Sequence, residues 1–250
     1  MEAALDVNDP IIAPEAQRKA AAVVASFDAR ATKHYFPCGK GQMVWRRWPS
    51  QQSGGSPVIL VHGGSGAWSH WIRNIGSLSE RYTVWAPDVP GLGESASPEP
   101  LTMEAVCEAV QRSADLLIPE GPVDVVGFSF GGPVAASLAV HLGSRLRHLV
   151  LAASRYVEGY KRVYPELISW KKIEDAQQRL AAHRVNLARM MMAREANIDA
   201  LAVYIQATNT ARSRFFGPKL NPGTKLLNCL PRVRPQGRIT GICGREDQGA

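Results

Sequence analysis

Short, mostly apolar runs recur along this sequence, with helix-length stretches between them. Val58 to Val61, Thr83 to Ala86, Val123 to Val126 and Leu146 to Ala152 are such runs. A strand that is apolar without alternation buries both of its faces, and a connection long enough for a helix lets the next strand run parallel to it. The pattern therefore predicts an α/β fold, a mostly parallel sheet with helices on both faces. Met103 to Leu117 and Pro133 to Leu142 have apolar residues at three and four spacing and are expected to be two of those helices.

Upstream, Pro14 to Arg30 is rich in alanine and opens on proline, which predicts a peripheral helix whose packing partner is not legible. The runs ending at Gly39 and Trp48 are joined by Gly39-Lys40-Gly41 and predict a β-hairpin. Between Arg155 and Pro235 the alternation gives way to helix-like segments such as Ile173 to Arg194 and to a loop over Gly217 to Gly223. Strand character then returns at Arg238 to Cys243. The expected division is a helical arm at 1–30, a core at 31–154, a helical cap at 155–235 and a return to the core at 236–250.

At 250 residues, 45% hydrophobic and 20% charged, the composition suits one large domain carrying an insertion. No apolar run approaches the roughly 20 residues of a membrane-spanning helix, and Met1 to Pro10 lacks the basic and apolar regions of a signal peptide. A cytoplasmic protein with no membrane partner is expected. The net charge is +7, but the basic residues are not interleaved with aromatics, so no nucleic-acid partner is expected. Arg155 to Pro235 holds 15 Lys and Arg against 6 Asp and Glu. A solvated helical surface accounts for that excess, and a preference for anionic substrates is the sharper reading. Cys38, Cys107, Cys229 and Cys243 form no CxxC pair and are expected to be free, buried thiols.

Two motifs carry chemistry. Gly127-Phe128-Ser129-Phe130-Gly131 fits G-x-S-x-G and stands directly between the run VDVV and a helix. A serine forced into a sharp strand-to-helix turn brings the backbone two residues before and after it into close approach, so a Cβ there would collide. Val61-His62-Gly63-Gly64-Ser65-Gly66 follows VILV and supplies small residues where backbone N–H groups face a developing negative charge. The N–H of Gly64 with that of Phe130 would form an oxyanion hole. His62 is expected to fix this loop by hydrogen bonding rather than to act as a base.

With these motifs, Asp88-Val89-Pro90-Gly91-Leu92-Gly93-Glu94-Ser95 and Gly244-Arg245-Glu246-Asp247 fall in order after successive strands, and from about Lys33 onward the sequence resembles the α/β-hydrolase superfamily. The resemblance implies that Ser129 is the nucleophile, that Gly64 and Phe130 are the oxyanion donors, and that Asp247 orients a catalytic histidine. Asp88 and Gly91 are expected to shape a loop. The family's histidine follows the acid in sequence, yet only three residues follow Asp247 here, and His34, His62, His70, His141, His148 and His183 all precede it. No catalytic histidine is therefore expected in this chain, and the sequence reads as truncated before the last strand and final helix, nearly inactive and with an uncovered sheet edge.

The implied function is hydrolysis of a carboxylic ester or related small acyl substrate, with no cofactor and no metal. The alternatives are carbon–carbon bond hydrolysis of an unsaturated diketo acid, or a non-catalytic relative that binds a ligand. Oligomeric state is not legible. Met190-Met191-Met192, with Leu180, Leu187 and Tyr204, either line a deformable acyl pocket or pack against the core.

Overall fold

The computed structural model describes residues 5–154, 166–214, 220 and 222–244. Its centre is one seven-stranded sheet in the order β1-β2-β4-β3-β5-β6-β7. β1 (Thr32–Cys38) and β2 (Gly41–Trp48) form the expected hairpin, in register from Thr32 opposite Arg47 to Cys38 opposite Gly41. Gly39 in the turn takes a positive φ of +53°, and a Cβ there would also strike the Ser97 backbone. β2 pairs antiparallel with β4 (Thr83–Pro87). The rest is parallel: β4 with β3 (Pro57–Val61), β3 with β5 (Val123–Phe128), β5 with β6 (Leu146–Ala152), and β6 with β7 (Ile239–Ile242).

Both faces are covered, as continuous apolar strands require. Along β3, Ile59 and Val61 enter one core and Val58 and Leu60 the other. The first core lies under α3 (Met103–Leu117), α4 (Gly131–Leu142) and α7 (Pro222–Cys229). The second gathers α2 (Ile72–Ser79), Val24 and Phe27 of α1 (Pro14–Ala29), and Ile205 of α6 (Ala200–Ala211). α5 (Ala176–Met190) and α6 meet in a third, smaller cluster with Ile12.

The partner of α1, which the sequence left open, is α6. β6 and β7 are parallel neighbours, so the segment between them crosses over from one strand of the sheet to the next. That segment is not of one kind: α5 and α6 pack on each other, whereas α7 packs on α4 and places Leu226 and Cys229 in the main core. Leu180, Leu187 and Met192 pack in the cluster around Ile12, and Met191 is exposed. Cys38, Cys107 and Cys229 are free and buried, but Cys243 is exposed, contrary to expectation. No helix among the described residues is long and apolar enough to cross a membrane.

Candidate active site

From β3 the chain goes first to β4 on one side and then returns to β5 on the other. In such a sheet the crevice at the carboxyl ends of the two diverging strands is where ligands bind. Both sequence motifs fall there, one after β3 and one after β5.

Ser129 links β5 to α4 with φ of +49°, a left-handed conformation that costs a residue with a Cβ about 1–3 kcal/mol. Its surroundings hold it there. The Ser129 N–H donates to the Ala152 carbonyl at 2.8 Å, and the Ser129 carbonyl accepts from the Gly132 N–H at 2.9 Å and from the Ser154 hydroxyl at 3.0 Å. The glycine spacing has the steric cause expected of it. A Cβ on Gly127 would lie 2.7 Å from the Gly131 carbonyl oxygen, and one on Gly131 would collide with the carbonyls of Val61 and His62. Gly132 is similarly confined by the Ser154 side chain. Ser129 is half-buried, and its Oγ makes no hydrogen bond with the described residues.

The loop after β3 meets the same turn. A Cβ placed on Gly64 would be 3.5 Å from the Phe130 Cβ, so the backbones expected to donate to an oxyanion are neighbours. Phe130 also caps the N-terminus of α4, where the helix dipole favours negative charge. His62 is fully buried, its Nδ1 donating to the Gly63 carbonyl at 2.8 Å and its Nε2 accepting from the Val89 N–H at 2.9 Å. Burial pushes its pKa down to about 4, so the ring is a neutral brace.

Asp88 braces the opposite side. Its carboxylate accepts from the N–H groups of Trp68 and Glu94 at 2.8 and 2.9 Å and pairs with Arg46 at 3.2 Å. Burial raises its pKa, and the Arg46 guanidinium opposes that rise. A Cβ on Gly93, at φ of +55°, would lie 2.5 Å from this carboxylate.

The end of α6 docks on both loops, a relation with no signal in the sequence because the partners lie more than a hundred residues apart. The Ser69 hydroxyl donates to Asn209 Oδ1 at 3.1 Å, and the Ser65 and Ser213 hydroxyls are 3.4 Å apart. Arg214 donates its N–H to the Gly91 carbonyl and its guanidinium to those of Gly93 and Ser95. An open cleft of about 630 Å³ lies beside this contact, lined by Tyr35, Lys40, Glu94, Glu99 and Arg214, and it includes neither Ser129 nor the loop after β3.

All six histidines lie among the described residues, and none bonds to Ser129. His141 pairs with Asp115 and His148 with Asp124, each on the surface or partly so. His183 is buried against Trp170, with its pKa pushed down to about 4 by burial. His34 stands 5.3 Å from Trp85, and the ring of His70 5.9 Å from that of Phe128. Asp247 and Glu246 lie outside the described residues.

Comparison with known proteins agrees with this fold. A family model for the alpha/beta hydrolase fold matches residues 56–214. The 2-hydroxy-6-oxo-2,4-heptadienoate hydrolase of Pseudomonas putida is 37% identical over 102 residues, 39% of this chain and 37% of that protein. The pimeloyl-[acyl-carrier protein] methyl ester esterase of Vibrio cholerae is 33% identical over 100 residues, 40% of this chain and 37% of that protein. The chain matches about half the length of its curated relatives or less. Among solved structures, naproxen esterase from Bacillus subtilis superposes with a TM-score of 0.61 at 13% identity, covering 92% of this chain and 90% of that one. The family match spans more than half of the sequence and contains the whole turn at Ser129, and this chain belongs to the alpha/beta hydrolase fold family.

Proposed function

We propose that Ser129 is the nucleophile of a hydrolase that cleaves a carboxylic ester or related acyl compound. One observation carries this reading: a left-handed serine held at the strand-to-helix turn, with the Gly64 backbone against Phe130. Ser129 Oγ attacks the substrate carbonyl carbon and gives its proton to a histidine base, while the N–H groups of Gly64 and Phe130 stabilise the resulting oxyanion. Collapse expels the alcohol, which takes that proton, and water then releases the acid by the same steps in reverse. In this reading Asp247 holds the histidine's tautomer, and residues 166–214, docked on the Gly63–Gly66 and Gly91–Ser95 loops, form the cap.

None of the six histidines hydrogen-bonds to Ser129, which supports the reading that none of them is the base. These 250 residues alone are therefore expected to retain only the roughly 10³ to 10⁴ over water that binding and an oxyanion hole provide. Carbon–carbon bond hydrolysis of an unsaturated diketo acid is the second reading, favoured by the likeness to the heptadienoate hydrolase and by the basic segment 155–235.

Turnover of short p-nitrophenyl esters and of an unsaturated diketo acid by the complete gene product tests both. Ser129→Ala should lower the rate on the true substrate by at least about 10³ with the fold intact; retention within about tenfold means that another residue attacks. Asp247→Asn should cost roughly 10⁴. A larger loss from Glu246→Gln would move the acid by one position.

A further inference from the structure

Three buried polar atoms without partners belong to the 3-10 turn Trp68–Trp71 and to Asn209 of α6, which the Ser69–Asn209 hydrogen bond joins into one seam. Asn209 is only 3% exposed; its Oδ1 is taken by the Ser69 hydroxyl, and its Nδ2 has no acceptor. The next two residues of the turn, His70 and Trp71, likewise have a buried nitrogen with no partner, Nδ1 and Nε1 respectively. Both rings stand nearly edge-on to Phe128, the residue before Ser129, with centroids 5.9 and 6.4 Å away. The seam thus adjoins the turn that carries the nucleophile.

Leaving one buried polar group unpaired costs about 1–3 kcal/mol, so three in one seam call for a cause. The fold does satisfy buried indoles elsewhere: Trp45 Nε1 donates to Ser113 at 2.9 Å and Trp48 Nε1 to the Phe27 carbonyl at 3.0 Å. We propose that the seam is a substrate subsite, in which Asn209 Nδ2 and Trp71 Nε1 donate to a second, uncharged oxygen of the substrate, such as a ketone, remote from the carbonyl that Ser129 attacks. This rests on Ser129 being the nucleophile.

The chemistry of the lining selects an uncharged acceptor. The indole and the amide nitrogen are donors only and carry no charge. Among the described residues, neither these side chains nor Ser69 and His70 pair with a lysine or arginine. The nearby Arg73 is exposed and bound to Asp199 at 2.6 Å. A carboxylate desolvated here would lack a countercharge, whereas a ketone would gain two hydrogen bonds at a small desolvation cost.

A site built to hydrogen-bond a substrate group discriminates strongly against the analogue lacking it, because its own donors are then left unpaired. For the complete gene product, p-nitrophenyl 4-oxohexanoate and 5-oxohexanoate are compared with the plain hexanoate. At least one keto ester should be preferred by about tenfold or more in kcat/KM, and Asn209→Leu and Trp71→Phe should each cut that preference to about threefold or less. In Ser129→Ala protein, where no turnover interferes, the preferred keto ester should move the Trp71 indole N–H resonance downfield and the hexanoate should not, with Trp71→Phe identifying the peak. Equal handling of all three esters by the parent, a preference that survives both variants, or an unmoved indole resonance would show that the seam holds solvent alone. Turnover persisting in Ser129→Ala would instead overturn the nucleophile, leaving the indole shift to stand or fall separately.

Discussion

In the proposed mechanism the left-handed backbone at Ser129 sets stability against chemistry at a single residue. Glycine meets no Cβ penalty at φ of +49°, so Ser129→Gly should raise the unfolding free energy by about 1 kcal/mol in a denaturant titration while eliminating turnover. A destabilised glycine variant would mean that the Ser129 side chain contributes packing that offsets its strain. This residue was legible because the glycines at 127 and 131 record a steric requirement that survives in one dimension. Arg46 was not. In the strand sequence Trp45-Arg46-Arg47-Trp48 it reads like any solvent-facing arginine, yet it is fully buried. Its partners are Asp28, at 2.5 Å, and Asp88 and Glu94 of one loop, at 3.2 and 2.7 Å, and the two stretches lie about sixty residues apart in sequence.

Elements were legible in proportion to how strongly their local pattern agreed with their packing. α3 runs from Met103 to Leu117 as expected, with Thr102 accepting from the Ala105 N–H at its start. α2 was missed because it is eight residues long and contains Gly76 and two serines; α6 was obscured by its β-branched Val203, Ile205, Thr208 and Thr210. The Pro-Gly that suggested a loop instead opens α7, where proline is tolerated in the first turn. Within α5, His183 makes a pH-dependent contribution. Its folded pKa of about 4 lies below the ordinary histidine value of 6.5, so the unfolded chain binds a proton that the folded one refuses. Stability is therefore lost as pH falls from about 6.5 toward 4, by up to about 1.4 kcal/mol per pH unit from this ring. His183→Phe keeps an aromatic ring against Trp170 and should flatten that part of a plot of unfolding midpoint against pH. An unchanged slope would assign the loss to other groups, His62 and His70 first.

At the scale of the whole molecule, the Arg46 hub ties α1 to the sheet and to the loop after β4, and Arg212 at the end of α6 approaches the same Glu94 at 3.7 Å. Removing the guanidinium leaves the Asp88 carboxylate buried without its countercharge. Arg46→Met should therefore cost about 3–5 kcal/mol in urea unfolding. Lys33→Met, which removes a partly exposed member of the same network, should cost about 1 kcal/mol or less. Similar losses from both would mean that water reaches Asp88 when the arginine is gone. None of this architecture was visible beforehand, because long-range ion pairs leave no periodicity. The sheet order was legible only as far as parallel pairing was. That order also bears on how the protein is made. β1 to β4 form a contiguous half-sheet, and Asp28, Arg46, Asp88 and Glu94 all precede residue 95, so strands and charge hub can assemble while the remainder is still being synthesised. β5, β6 and β7 extend that half-sheet in chain order at a single edge, and the end of α6 docks on loops that precede it by more than a hundred residues.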